Sequence, residues 1–180
     1  NIIDFGILNV DERKIEETIA ASLTGRLDSA VVDRLEREAA QAKKILYLCD
    51  NAGEIAFDRL LIERLPMERV TAVVKGGPII NDALMEEARE AGLCELVEVI
   101  DNGSAAPGTL PEICSREFQE RLAKADLIIA KGQGNFETLD GTERNVFYLF
   151  TVKCNVVARY IGEPLGAFIV RCQRRGENTT

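Results

Sequence analysis

Asp50-Asn51 and Asn81-Asp82 each pair one carboxylate with one carboxamide, and both pairs lie near glycines, Gly53 in one case and Gly76-Gly77 in the other. Such side chains offer hard oxygen donors. An all-oxygen set suits Mg²⁺ or Mn²⁺, with positions left open for water and substrate. Each pair also has a plain local use, because Asp or Asn ahead of a helix caps it or closes an Asx turn. What favours the metal reading is coincidence: the two pairs end consecutive apolar bursts, which are usually neighbours in a sheet.

Lysines form the second group. Lys131 follows the apolar Leu127–Ala130 and opens Lys131-Gly132-Gln133-Gly134-Asn135, while Lys75 and Lys153 end two other bursts. Lysines at strand ends are commonly solvated. A glycine-rich turn, however, exposes backbone N–H groups, and a lysine beside it adds a point charge, which together make an anion cradle. A metal held by two or three oxygens next to such a cradle suits a phosphate ester.

Composition narrows the chemistry further. The 180 residues contain no histidine, so the Ser-His-Asp and Cys-His mechanisms and imidazole-bound zinc are excluded within this chain. Thirty acidic against 22 basic residues give a net charge of −8, which argues against a nucleic-acid partner. Cys49, Cys94, Cys114, Cys154 and Cys172 are scattered and never form C-x-x-C, as expected of reduced core thiols in a cytoplasmic protein. No apolar run approaches the ~20 residues of a membrane span, and no signal-peptide pattern opens the chain. The apolar start at Asn1, with no Met, reads as the trailing part of a longer protein.

The elements that must position these residues are legible. Amphipathic patterns over Asp11–Leu23 and Ser29–Ala42 come first, the second preceded by Asp28 as N-cap. Six apolar bursts follow: Ile45–Cys49, Val70–Val74, Leu96–Ile100, Leu127–Ala130, Val146–Val152 and Ala167–Val170. Most are apolar throughout, as in strands buried on both faces. The first four begin 25, 26 and 31 residues apart, close to the about 30 residues of a βαβ unit. Helices are expected over Glu54–Leu65, Asp82–Ala91 and Glu112–Ala123, and a flexible loop over Asn102–Pro107. The expected fold is α/β: a doubly wound, mostly parallel, Rossmann-like sheet of about six strands in residues 45–172. A helical segment (residues 1–44) precedes it and a polar tail (173–180) follows. In such sheets ligands bind beyond the carboxyl ends of the strands, where strand order reverses.

Two common uses of this fold fail on the residues. A dinucleotide site needs G-x-G-x-x-G after the first strand and an acidic residue ending the second; here there is only Gly53, and the second strand ends at Lys75. A haloacid-dehalogenase-type phosphatase needs Asp-x-Asp after the first strand, and position 52 is alanine.

Three segments carry a resemblance: Asp50-Asn51-Ala52-Gly53-Glu54 with Asp58, Lys75 to Asp82, and Ala125 to Glu137. In that order they resemble the metal-dependent damage-control phosphatases, a former domain-of-unknown-function family related to acidic-residue-methyltransferase-like proteins, in its archaeal and bacterial branch. The likeness runs from Asn1 to about Val170. It implies that Asp50, Asn51 and Asp82 hold a divalent ion (Mn²⁺, Ni²⁺, Co²⁺ or Mg²⁺). It also implies that Lys153 of Thr151-Val152-Lys153 contacts substrate phosphate, and that Lys131, Gly132 and Asn135 line the pocket. Asn1-x-x-Asp4 resembles a segment near that pocket. Phe150 stands where some branches carry arginine, and the further N-terminal helical region usual in this branch is absent from the chain.

The expected activity is hydrolysis of phosphomonoesters of small metabolites, sugar phosphates or damaged phosphometabolites. Asp50, Asp82 and Lys153 would be catalytic, and Lys75, Lys131, Gly132, Asn135 and Lys153 would bind substrate. Asp50 could attack phosphorus or orient a metal-bound water. The alternatives are a non-catalytic, metal-dependent phosphometabolite or nucleotide binder and, against the poor match of Asp50–Gly53 to a cofactor loop, an S-adenosylmethionine-dependent carboxyl methyltransferase. A small phosphorylated metabolite is the expected partner, with no nucleic acid and no membrane.

Overall fold

In the computed structural model, residue 20 and residues 27–173 are described. The expected helix at Asp11–Leu23, the Asn1-x-x-Asp4 segment and residues 174–180 of the expected tail lie outside the described residues, Ala20 excepted.

Helix α1 (Ser29–Gln41) begins where Asp28 accepts a hydrogen bond from the Ala30 amide at 2.9 Å. Leu35 and Ala39 form its buried stripe. Strand β1 (Ile45–Leu48) leads into α2 (Ile55–Ile62), β2 (Val70–Val74) into α3 (Met85–Glu90), and β3 (Glu98–Asp101) into α4 (Arg116–Lys124). Strand β4 (Leu127–Lys131) is followed by α5 (Gln133–Leu139), β5 (Val146–Thr151) by α6 (Asn155–Ile161), and β6 (Phe168–Gln173) closes the sheet.

The strand order is β3-β2-β1-β4-β5-β6, parallel except for the β5–β6 pair. Alternate residues of one strand therefore feed two cores. Ile45, Tyr47 and Cys49 pack with α1, α2 and α3 on one face, while Leu46 and Leu48 pack with Phe118, Leu122, Phe136 and Val157 on the other. This is a doubly wound α/β sheet, and the order reverses between β1 and β4.

The structure differs from expectation in four places. Helix α3 starts at Met85 rather than Asp82, because Asn81-Asp82 pairs with the segment after β1. Helix α5 begins inside the segment expected to be a glycine-rich turn. Gln173 belongs to β6 rather than to a polar tail, accepting from the Tyr148 hydroxyl and donating to the Thr142 carbonyl. The loop over residues 102–107 is pinned: the buried Asn102 carboxamide oxygen accepts from the amides of Gly76 and Ser104. All five cysteines are free, and Cys49 and Cys114 are buried in the core. Among the described residues, no helix is long and apolar enough to cross a membrane.

Candidate functional site

The chain leaves β1 at the sheet's point of reversal and is caught at once by the segment before α3. Asn51 and Asp82 form an isolated antiparallel bridge: the Ala52 amide donates to Asn81 O at 2.8 Å, and the Ala83 amide donates to Asp50 O at 2.7 Å. Two acid–amide pairs 31 residues apart in sequence are thereby clamped side by side. Neither pair caps a helix, since α2 has Glu54 and α3 has Leu84 at the N-cap position. The local reading of these pairs as helix caps is overturned by this pairing.

From the other side of the reversal comes Gly132, with φ at +81°. A Cβ placed there would fall on the Asp50 carboxyl group. The position needs glycine for both its conformation and its close approach. Asn135, on the first turn of α5, donates to the carbonyls of Lys131 at 2.8 Å and Cys49 at 3.4 Å, and accepts from Thr109 Oγ1 at 2.7 Å. It ties the end of β4 to the end of β1.

A cleft of about 230 Å³ opens above this frame, and Asp50, Asn51, Asp82, Gln133, Glu137 and Lys153 are among its lining residues. Asp50, Asn51 and Asp82 could present two carboxylates and an amide oxygen to a hard cation. Among the described residues no group of three His, Cys, Asp or Glu side chains could hold a metal ion, so the third protein donor here would be an amide. The donor set fits Mg²⁺ or Mn²⁺ in its chemistry, and Gly132 leaves the Asp50 carboxyl the room it needs. Lys153 is exposed at the rim, its amide donating to Gln133 Oε1 at 2.7 Å. Gln133 in turn donates to Glu137 Oε1 at 2.6 Å.

The remaining residues expected to bind substrate lie behind the cleft rather than in its lining. Lys75 is buried; its ammonium donates to the carbonyls of Ala106 and Gly108 and stands 3.5 Å from Asp82 Oδ2. Lys131 is buried as well, bonded to Glu54 Oε1 at 2.6 Å and Asp58 Oδ1 at 2.5 Å. Burial alone would lower the Lys131 pKa, but the carboxylates of Asp58 and Glu54 outweigh it and hold the ammonium above its ordinary value. Burial raises the Asp58 carboxyl, against the pull of Lys131 and with the help of Glu54. Tyr47, whose hydroxyl donates to Asp58 Oδ1 at 2.7 Å, is raised by burial and then by that charge.

Sequence reasoning gave no individual role to Tyr47, Glu54, Asp58 or Glu137, and included Gln133 only as part of the Lys131–Asn135 turn expected to line the pocket. Glu54 and Asp58 carry a faint signal, an i,i+4 acidic pair at the start of a mostly apolar helix.

Fold and cleft together define a doubly wound α/β domain with an oxygen-donor site at its point of reversal. The sequence profile of the damage-control phosphatase ARMT1-like domain matches residues 1–169. The chain belongs to that family. It is 42% identical over 175 residues to the uncharacterized protein MJ0202 of Methanocaldococcus jannaschii, covering 92% of this chain and 57% of that one. It is 41% identical to damage-control phosphatase PH1575 of Pyrococcus horikoshii, covering 97% of this chain and 61% of the relative. A damage-control phosphatase of Archaeoglobus fulgidus is 38% identical, with 89% and 54% covered. The crystal structure of the P. horikoshii protein, described as of the DUF89 family, superposes with a TM-score of 0.81 over 97% of this chain and 62% of that one. The chain thus spans a little over half the length of the relatives it matches.

Proposed function

We propose that this chain hydrolyses phosphomonoesters of small metabolites, sugar phosphates or damaged phosphometabolites, in a divalent-metal-dependent reaction at the cleft beyond β1 and β4. One observation carries the reading: the Asn51–Asp82 bridge sets two acid–amide pairs side by side under the close approach of Gly132. The names of two relatives, damage-control phosphatases, support the same class of reaction.

Asp50, Asn51 and Asp82 would hold the ion, which when bound supplies Lewis acidity and a template for phosphoryl oxygens. Lys153 would bring its ammonium from the rim to the equatorial phosphoryl oxygens, where charge stabilisation and positioning are most of the catalysis. Gln133 fixes the Lys153 backbone and so sets where that ammonium can reach. The bridge between residues 51 and 82 keeps the two carboxylates from drifting apart, the kind of preorganisation that catalysis rewards.

The test is hydrolysis of p-nitrophenyl phosphate by chelated protein resupplied with Mn²⁺, Ni²⁺, Co²⁺ or Mg²⁺. Turnover is expected only with an ion present. Asp82→Ala should lower it by at least ~10-fold, since losing even an outer contact of a metal site costs 10–100-fold. Activity that survives complete metal removal, or an Asp82→Ala variant at the wild-type rate, overturns the assignment.

A further inference from the structure

Lys131 has the sequence context of an anion-binding lysine, yet its ammonium points into the protein. Its side chain is 8% exposed, and the two carboxylates it bonds are 3% and 1% exposed. An ammonium has three donors. With two of them on Glu54 and Asp58, and Lys131 outside the cleft lining, little remains to grip a phosphate.

The position of those carboxylates gives the lysine a different use. Glu54 closes the turn that begins at Asp50, its amide donating to Asn51 O at 3.0 Å, and Asp58 lies one turn further along α2. Lys131 reaches them from β4, across the sheet's point of reversal, so one side chain joins the helix behind the turn to the strand beside it. Asp58 Oδ1 accepts from both Lys131 and Tyr47, while Asp58 Oδ2 is buried without a partner among the described residues. A fold that buries a half-satisfied carboxylate forgoes the greater stability of an apolar core. Here the carboxylate anchors the helix that follows Asp50 and Asn51.

We propose that Lys131 is a positioning residue: by holding Glu54 and Asp58 it fixes the Asp50–Asn51 turn from behind, and it does not bind the substrate phosphate. The consequence for metal binding rests on the phosphatase reading above; the consequence for the turn itself does not.

The test compares wild-type protein with Lys131→Met, which keeps most of the length of the side chain and removes its charge. Three quantities are read: deuterium exchange at the Ala52 and Glu54 amides without metal, Mn²⁺ affinity by spin-resonance titration, and KM for p-nitrophenyl phosphate at saturating Mn²⁺. Exchange should quicken, and the Mn²⁺ dissociation constant should rise by about 10–100-fold, the usual penalty for losing an outer contact of a metal site. KM should stay near the wild-type value. A KM raised about tenfold or more, with exchange and Mn²⁺ affinity unchanged, would show a lost phosphate contact and overturn the proposal.

Removing one partner of a buried ion pair is itself severely destabilising. Should Lys131→Met fail to fold, Lys131→Met with Glu54→Gln and Asp58→Asn removes the stranded charges. That variant is expected to keep the wild-type KM at saturating Mn²⁺, and a KM raised about tenfold overturns the proposal. If wild-type protein neither binds Mn²⁺ nor turns over substrate, the phosphatase reading falls. Exchange at Ala52 and Glu54 still decides this inference, and unchanged exchange in the variant overturns it.

Discussion

The two ends of the sheet offer cavities of opposite character. At the amino ends of the strands lies the larger one, about 780 Å³, lined in part by Lys43, Lys44, Arg69, Arg121 and Lys124. Its charges are solvated: Arg121 and Glu98 pair at 2.5 Å with 37% and 50% of their side chains exposed. The carboxyl-end cleft is about 230 Å³, but behind it Lys75, Lys131, Glu54 and Asp58 are all less than a tenth exposed. Exposed ion pairs contribute about 0–1 kcal/mol and arise wherever long charged side chains meet. Buried ones carry a heavy desolvation penalty, so they persist where a particular geometry requires them. Volume and burial of charge therefore single out opposite ends of the sheet, and the proposed site lies at the end where charge is buried.

The largest contrast should come from glycine. Gly132→Ala forces a Cβ onto the Asp50 carboxyl at a φ of +81°, whereas Gly141, at +82°, has nothing within 4 Å of the Cβ it would gain. Both substitutions carry backbone strain of about 1–3 kcal/mol. Only Gly132→Ala should also displace Asp50, and a misplacement of about 1 Å is enough to cost on the order of 10²-fold in turnover. Phosphatase assays and thermal melts on the two variants measure this. Equal activities would mean that the close approach of Gly132 to Asp50 has no catalytic consequence.

A smaller effect is expected beneath the cleft. Tyr47→Phe removes one of the two donors to Asp58 Oδ1 and leaves the volume of the ring. Loss of a hydrogen bond to a buried charged group should cost about 1–3 kcal/mol of stability, read from urea unfolding. A loss within the scatter of surface substitutions, ±0.5 kcal/mol, would show that this network is slack.

These contrasts also explain what could be read from the sequence. Strands β1, β2 and β4 were legible because burial on both faces leaves them almost wholly apolar. The pairing of Asp50-Asn51 with Asn81-Asp82 was foreseeable once those strands were taken as neighbours. The start of α3 was not: Asn81 and Asp82 look like caps locally, and only the tertiary bridge to residues 50–52 takes them away from the helix. Helix α5 was hidden by the low helix propensity of Gly132-Gln133-Gly134-Asn135. What holds it is distant, with Asn135 bonded to the end of β1 and Phe136 stacked on Phe150 at 4.7 Å. The lysines were harder still. Lys131 looks solvated or anion-binding because its partners lie 77 and 73 residues away, and no local pattern announces a buried carboxylate across the sheet.

The smallest effect belongs to the amino end. Arg121→Met keeps the aliphatic stem, which covers the surface as the arginine does, and removes the bonds to Glu98. The hydrogen bonds from Arg121 hold the Glu98 carboxyl below its ordinary value, against the opposing effect of burial. A carboxyl depressed in the folded state lends stability above its unfolded pKa and loses it as pH falls through the folded one. Because half of Glu98 is in water, screening should keep that contribution under about 1 kcal/mol. Wild-type and Arg121→Met protein should thus differ slightly at neutral pH and low salt, and converge in 1 M salt or under acid conditions, with turnover equal throughout. A turnover defect in Arg121→Met would place function at the amino end as well and undo the contrast between the two cavities.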